Sequence, residues 1–144
     1  MLVSQILKSK SDDAVVTSLP SMLISEAAKL LSEKRIGTLG ISSDGQTPDG
    51  ILAERDIVRE LGRQGAQCLP LTVDKLMTTK LVTCGRDDRA DEILKKMTEG
   101  RFRHMPVLDE GKLVGLISLG DVVKARLSEL AMEKDALEGM IMGH

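Results

Sequence analysis

Gly115-Leu116-Ile117-Ser118-Leu119-Gly120-Asp121-Val122-Val123 decides the reading of this chain, because it has an earlier counterpart in Gly50-Ile51-Leu52-Ala53-Glu54-Arg55-Asp56-Ile57-Val58. In both, a glycine opens a short apolar run, an aspartate follows at the same distance, and two β-branched residues come next. The match extends outward at a spacing of about 65 residues, the mark of an internal duplication. Val16-Thr17 falls on Val82-Thr83, Glu26 on Glu92, Arg35 on Arg101, Leu39 on Met105 and Ile41 on Val107. The register slips by one residue between Ile41 and Gly50, so one loop is longer in the first copy. Val3 and Ile6 match Val73 and Leu76 only if the first copy also carries four extra residues near Lys8–Ala14.

Each copy reads as β-α-β-β-α. A strand at Val15–Thr17 or Leu81–Cys84 leads into a helix. The first helix is read as capped by Ser25 with Gly37 just beyond its end, and the second as running from near Asp88 to Gly100. Strands Phe102–Leu108 and Leu113–Ser118 are joined by the turn Asp109-Glu110-Gly111. Ile36–Ile41 and Gly50–Leu52 correspond to them across a longer polar loop containing Asp44-Gly45 and Pro48. Each copy closes with a helix from near Asp56 or Asp121. The last runs to Leu137 and on toward Met140, with a heptad-like apolar stripe of Val122, Leu127, Leu130 and Leu137. The expected fold class is α/β (α+β), with repeat 1 over residues 1–68 and repeat 2 over 69–144, joined by Gly62–Leu71. Units this small are marginal alone, so the two sheets are expected to pack together and share one core.

The chain has 144 residues, 42% of them hydrophobic and 29% charged, with a net charge of −2 at pH 7. That balance suits a folded protein and offers no basic excess for nucleic acid or a membrane surface. Phe102 is the only aromatic residue, which removes base stacking as a binding mode. Cys68 and Cys84 form no metal or redox spacing and read as reduced thiols. No secretory leader pattern or membrane-length apolar run is present, so a cytoplasmic location is expected.

The motif Gly-h-h-x-x-x-Asp between an apolar strand and a helix, preceded in the second copy by Arg101-Phe102-Arg103-His104-Met105-Pro106-Val107 and in the first by Arg35-Ile36-Gly37-Thr38-Leu39-Gly40-Ile41, resembles the cystathionine β-synthase (CBS) domain, which occurs as tandem pairs. The resemblance covers essentially the whole chain. It implies two repeats packed about a pseudo-twofold axis, with clefts that take adenosine-containing ligands: AMP, ADP, ATP, S-adenosylmethionine or sometimes NAD species. It implies a binding set of Thr83, Arg103, His104, Met105, Pro106, Ser118 and Asp121 around the second motif, and of Thr17, Leu39, Arg55 and Asp56 around the first. The aspartates would hold ribose hydroxyls, and the basic residues would reach phosphates.

The residue types suit that chemistry. A carboxylate accepts both hydrogens of a cis-diol, a helix N-terminus favours a nearby phosphate, arginine binds phosphate in a bidentate fork, and histidine adds a charge-assisted donor near neutral pH. Plainer roles stand beside these. Asp56 and Asp121 read equally as helix N-caps, Ser118 as a strand-end hydroxyl, His104 as a strand-surface residue, Arg101 and Arg103 as a solvated face, the eight methionines as filler, and His144 as the chain end. The copies also differ. Ala53, Gly40 and Thr38 stand where the second copy has Ser118, Pro106 and His104, so one strong and one weaker cleft are expected, with Arg55 a possible compensation in the first.

No phosphate-binding loop, nucleophile elbow or H-E-x-x-H helix is present, so no catalytic or metal site is expected. The reading is a stand-alone homodimeric sensor that signals in trans to a protein partner by re-angling its halves through a hinge at Gly62–Leu71. The competing reading is a ligand-independent assembly module with vestigial clefts.

Overall fold

The computed structural model describes residues 1–10 and 15–141. Most of the four-residue insertion, at 11–14, and His144 lie outside the described residues. The elements are α1 (Val3–Ser9), β1 (Thr17–Ser18), α2 (Ile24–Lys34), β2 (Thr38–Ile41), β3 (Gly50–Ala53), α3 (Glu54–Gln64), 3-10 turns at Gly65–Cys68 and Val73–Lys75, α4 (Ala90–Gly100), β4 (His104–Asp109), β5 (Lys112–Ser118) and α5 (Leu119–Ile141). The α/β class and the duplication are as expected. β1 runs parallel to β2 with Ser18 opposite Ile41, and β2 is antiparallel to β3. In the second half Cys84 lies parallel to Val107 and β4 is antiparallel to β5.

The expected strand Leu81–Cys84 is reduced to that single bridge at Cys84, and the repeat explains why. In the first half the Gly40 N–H donates to the Val16 carbonyl at 3.1 Å. The equivalent residue in the second half is Pro106, which has no N–H to donate, so the ladder bond is lost. Gly40 in turn is required by the opposite half: a Cβ there would stand 2.9 Å from a Leu113 methyl.

Several local boundaries differ from expectation. The hairpin loop is two residues, Glu110 and Gly111, both at positive φ (52° and 78°) between paired Asp109 and Lys112. Two positive φ values define a type I′ turn, whose twist matches that of the strands. α2 is preceded by Leu23 as its cap residue, with Ser25 inside the first turn, while Asp88 accepts from the Gly85 N–H at 2.7 Å and α4 starts at Ala90. Arg35 and Arg101, not the glycines, take the left-handed conformation that ends α2 and α4. The next N–H groups, of Ile36 and Phe102, close back on the Leu31 and Met97 carbonyls, the Schellman pattern. Gly100 is instead demanded by space, since a Cβ would sit 2.3 Å from the Phe102 ring.

The halves do not share one core. One buried cluster contains Cys84, Ile93, Met97, Met105, Val107, Ile117 and Val122 together with Val3, Ile6 and Leu7 of α1. The other contains Ile24, Ala27, Leu31, Leu39, Ile41, Leu52 and Ile57 together with Val73. Each half is thus completed by the segment that precedes the other half in sequence. Main-chain bonds fix the exchange: Val3 N–H to Asp88 O and Ala90 N–H to Met1 O on one side, Ile24 N–H to Leu71 O and Val73 N–H to Met22 O on the other. The segment read as a hinge is therefore stitched down. Gly62 lies within α3, Cys68 is fully buried, and the Leu69 and Leu71 carbonyls accept bonds from the start of α2.

The exchange makes α1 a structural part of the second half. Ile6→Ala should destabilise the protein by ~2–5 kcal/mol, the cost of a large-to-small change in a closed core, measured as a shift in urea midpoint at unchanged slope. An unshifted midpoint would show that α1 is not part of the cooperative unit.

Candidate functional site

The turns from β3 into α3 and from β5 into α5 carry the two motif aspartates. Neither aspartate is the cap residue; each stands three positions on and bonds back to the cap. The Ser118 N–H donates to Asp121 Oδ2 at 2.8 Å, and the Asp121 N–H donates to Ser118 Oγ at 3.1 Å, a reciprocal capping box. In the first half the Ala53 N–H donates to Asp56 Oδ2 at 2.8 Å, but alanine has no oxygen to answer with. The surroundings of the two carboxylates also differ. Asp56 is 6% exposed and its other oxygen is held at 2.9 Å by Arg59 of the same helix. Among the described residues every hydrogen bond to Asp121 converges on Oδ2, from Ser118 and from Lys10 Nζ at 3.0 Å, so Oδ1 accepts none.

Asp121 lines a cleft of about 490 Å³ between the two halves. Lys10, Val15, Val16, Ile36, Gly37 and Thr38 line it from the N-terminal side of the chain, and His104, Leu116, Ser118 and Asp121 from the second half. The volume falls in the ~300–1,000 Å³ range of small-molecule sites. Val16, Ile36 and Leu116 supply apolar wall. Thr38 Oγ1 is buried and has no hydrogen-bond partner among the described residues; a buried hydroxyl in that state is costly until something polar meets it.

Burial drives the His104 pKa below its ordinary value, and the Arg55 cation adds to this. Asp121 and Glu54 pull the other way, and Lys10 pushes down again. His104 is therefore a neutral imidazole near pH 7, not the charge-assisted donor expected. Burial raises Asp121, but the Ser118 N–H and the Lys10 ammonium outweigh it, and its net pKa is lowered. Cys84 is pushed up to about 12, by burial and then by Asp88 against Lys96, so its thiol stays protonated. Both cysteines are free and buried. Among the described residues no group of acidic, His or Cys side chains is arranged to hold a metal, and no helix is long and apolar enough to cross a membrane.

Of the residues singled out from the sequence, the structure brings His104, Ser118 and Asp121 together in this cleft. Leu39 and Met105 are fully buried core residues and Pro106 is buried beside Cys84, so these three pack the strands. Thr17 lies in β1 next to the lining residue Val16, and Thr83 beside the bridge at Cys84; neither lines the cleft. Arg103 is exposed and does not line it either, and Arg55 is exposed at the start of α3. The lining residues missed were Leu7, Lys10, Val15, Val16, Glu33, Lys34, Ile36, Gly37, Thr38 and Leu116. The signal for some of them was present: Thr38 is the repeat mate of His104, and Val16 adjoins the matched Thr17.

The CBS domain family matches this chain twice, over residues 3–63 and 73–128, and the chain belongs to that family. Among solved structures it is similar to the CBS-domain containing protein ATU1752 from Agrobacterium tumefaciens, with 41% identity, 88% of this chain and 99% of that one covered, and a TM-score of 0.82. It is also similar to the CBS domain pair of protein MJ0100 in complex with 5′-methylthioadenosine and S-adenosyl-L-methionine, with 26% identity, coverage of 90% and 98%, and a TM-score of 0.77. A third similar structure is CBS domain protein PAE2072 from Pyrobaculum aerophilum complexed with AMP, with 25% identity, coverage of 92% and 99%, and a TM-score of 0.77.

The lowered His104 pKa makes a testable statement about pH. Below the ordinary value of 6.5 the unfolded chain takes up a proton at His104 more readily than the folded one, so folded stability falls as pH drops through that value. His104→Gln should lose this component, so that the difference in melting temperature between variant and wild type changes between pH 7.5 and pH 5.5. Parallel pH profiles for the two proteins would show that His104 does not titrate abnormally.

Proposed function

We propose that this chain is a regulatory module that binds an adenosine-containing ligand in the cleft at Asp121 and communicates its occupancy to a protein partner in trans. AMP, ADP and ATP are the favoured ligands; S-adenosylmethionine and NAD species are the alternatives. The observation that carries the reading is the Asp121 carboxylate, oriented by its capping box, with Oδ1 accepting no hydrogen bond among the described residues, in the wall of a cleft that also has aliphatic lining. A cis-diol needs such an acceptor, and a purine ring fits between aliphatic walls without aromatic stacking. The unpartnered Thr38 hydroxyl answers a ring or exocyclic nitrogen. The AMP bound by the Pyrobaculum protein and the adenosyl ligands bound by MJ0100 support the same class of ligand.

The output is binding, not turnover. A ligand touching both halves favours one mutual arrangement over others, and only that difference in affinity shifts the equilibrium. Because the connecting segment is stitched to α2, we expect the response as a small re-angling of the helices that flank the cleft. The first-copy motif is the weaker of the two, the Asp56 carboxylate being already taken by Ala53 and Arg59.

The helices also support a homodimer. Val58 and Leu61 of α3 and Val123, Leu127 and Leu130 of α5 are exposed, the first and fourth by 66% and 63%. A groove of about 600 Å³ lined by Ala28, Leu31, Ile36, Ile57, Val58 and Leu61 runs alongside α2 and α3. Exposed apolar surface of this kind on helices favours a twofold interface. The same surface is what an assembly module with vestigial clefts would use, and ligand binding distinguishes the two readings.

Two measurements test these points. Asp121→Ala should weaken binding of AMP at least ~10-fold by calorimetry, through loss of charge-assisted bonds to the diol, and Asp56→Ala should weaken it less. Equal affinity of wild type and Asp121→Ala removes the assignment. Light scattering at tens of micromolar should give the mass of two chains, and Leu127→Glu should reduce it to one; a monomeric wild type excludes the dimer.

A further inference from the structure

We propose that Lys10 makes this cleft select phosphate-bearing ligands over neutral adenosine, by exchanging Asp121 for the phosphate when the ribose takes the carboxylate. The inference rests on the ligand reading above and names the group that sets its selectivity.

Lys10 is placed by long-range structure. It follows α1 directly, and Val3, Ile6 and Leu7 anchor α1 in the core of the second half. From there its ammonium donates to the Leu116 carbonyl at 2.9 Å and to Asp121 Oδ2 at 3.0 Å. Both side chains of the ion pair are largely covered, at 29% and 24% exposure. The pair also borders a second recess of about 460 Å³ whose wall includes Met1, Ser9, Lys124, Ala125 and Ser128.

The repeat shows that a lysine is not required to build the fold at this point. Ile51, the repeat mate of Leu116, exchanges main-chain bonds with Thr78 in both directions, at 3.0 and 2.8 Å. A backbone bridge cannot be handed to a ligand, whereas a long flexible side chain can. The other cations offer less. Arg103 is exposed and outside the cleft, and His104 is neutral. Lys34 also lines the cleft but is exposed.

The chemistry of exchange follows. A ribose cis-diol spans both carboxylate oxygens: one hydroxyl donates to the open Oδ1, and the other competes with the ammonium for Oδ2. With adenosine, Lys10 is left partly buried without its anion, which is unfavourable. With AMP, the phosphate supplies a new anionic acceptor and the ammonium keeps a charge-assisted bond. The lysine therefore opposes the neutral ligand and favours the charged one.

The test is calorimetric titration of the full chain with AMP and with adenosine, for wild type and Lys10→Met, with melting curves to establish folding. The expected result is that the ratio of AMP to adenosine affinity falls on the order of tenfold in the variant, with adenosine affinity unchanged or higher. If Lys10→Met does not fold, Lys10→Gln is read in its place. A variant ratio equal to that of a wild type that binds AMP overturns the role of Lys10 alone. A wild type that binds neither ligand overturns both this proposal and the ligand reading it rests on.

Discussion

Neither half of this molecule has enough interior to close a core by itself, and the rest of the architecture follows from how that shortage is met. A unit of about 60 residues buries too small a fraction of its surface to be robust alone. Each half therefore borrows: α1 lies under the second sheet, and Val73 under the first. The loan is tied by main-chain bonds at equivalent places, with Leu2 bridged to Arg89 and Leu23 to Thr72. As a result the two halves are held together by covalent crossing as well as by contact. The cleft between them is a stable feature of the fold, and the N-terminal segment becomes one of its walls.

The duplicated backbone carries unlike chemistry in its two copies. Pro106 removes a ladder bond that Gly40 supplies, and the second half keeps only a bridge where the first has β1. Ser118 completes a capping box that Ala53 leaves half made. Asp56 is neutralised within its own helix by Arg59, whereas Asp121 meets a lysine 111 positions away in sequence. Such differences leave one carboxylate locked into local structure and the other presented to a cleft. They make the two halves of a duplicated scaffold chemically unequal.

The electrostatics of that site run against intuition from residue type. Histidine in a strand beside the aspartate motif invites a cationic role, yet burial and the Arg55 charge lower the His104 pKa. The arginine next to it points its charge outside the cleft lining. The cation that does face Asp121 comes from an element that sequence spacing assigns to the other repeat. Which charges meet in a cleft depends on packing across the whole chain, and Lys10 and Asp121 meet across 111 positions of sequence.

What the sequence by itself determined is the periodic part of the molecule: the duplication, the order of elements in each copy, the joined strand pair in each, and the two turns that carry Asp56 and Asp121. These are legible because they rest on local rules, namely alternation in strands, helix periodicity, and a short polar residue placed to bond its own helix start. The same rules misplaced the caps by a few residues, because an aspartate serves a helix start either at the cap, accepting from an N–H further on, or three positions in, accepting from the cap residue's own N–H. Only the tertiary structure decided that the sheets build two cores, that residues 62–71 are pinned, that Leu39 and Met105 serve packing, and that Lys10 stands on Asp121. Those outcomes depend on which surfaces are left uncovered after each half has folded, and that is a property of the assembled chain, written in no single stretch of it.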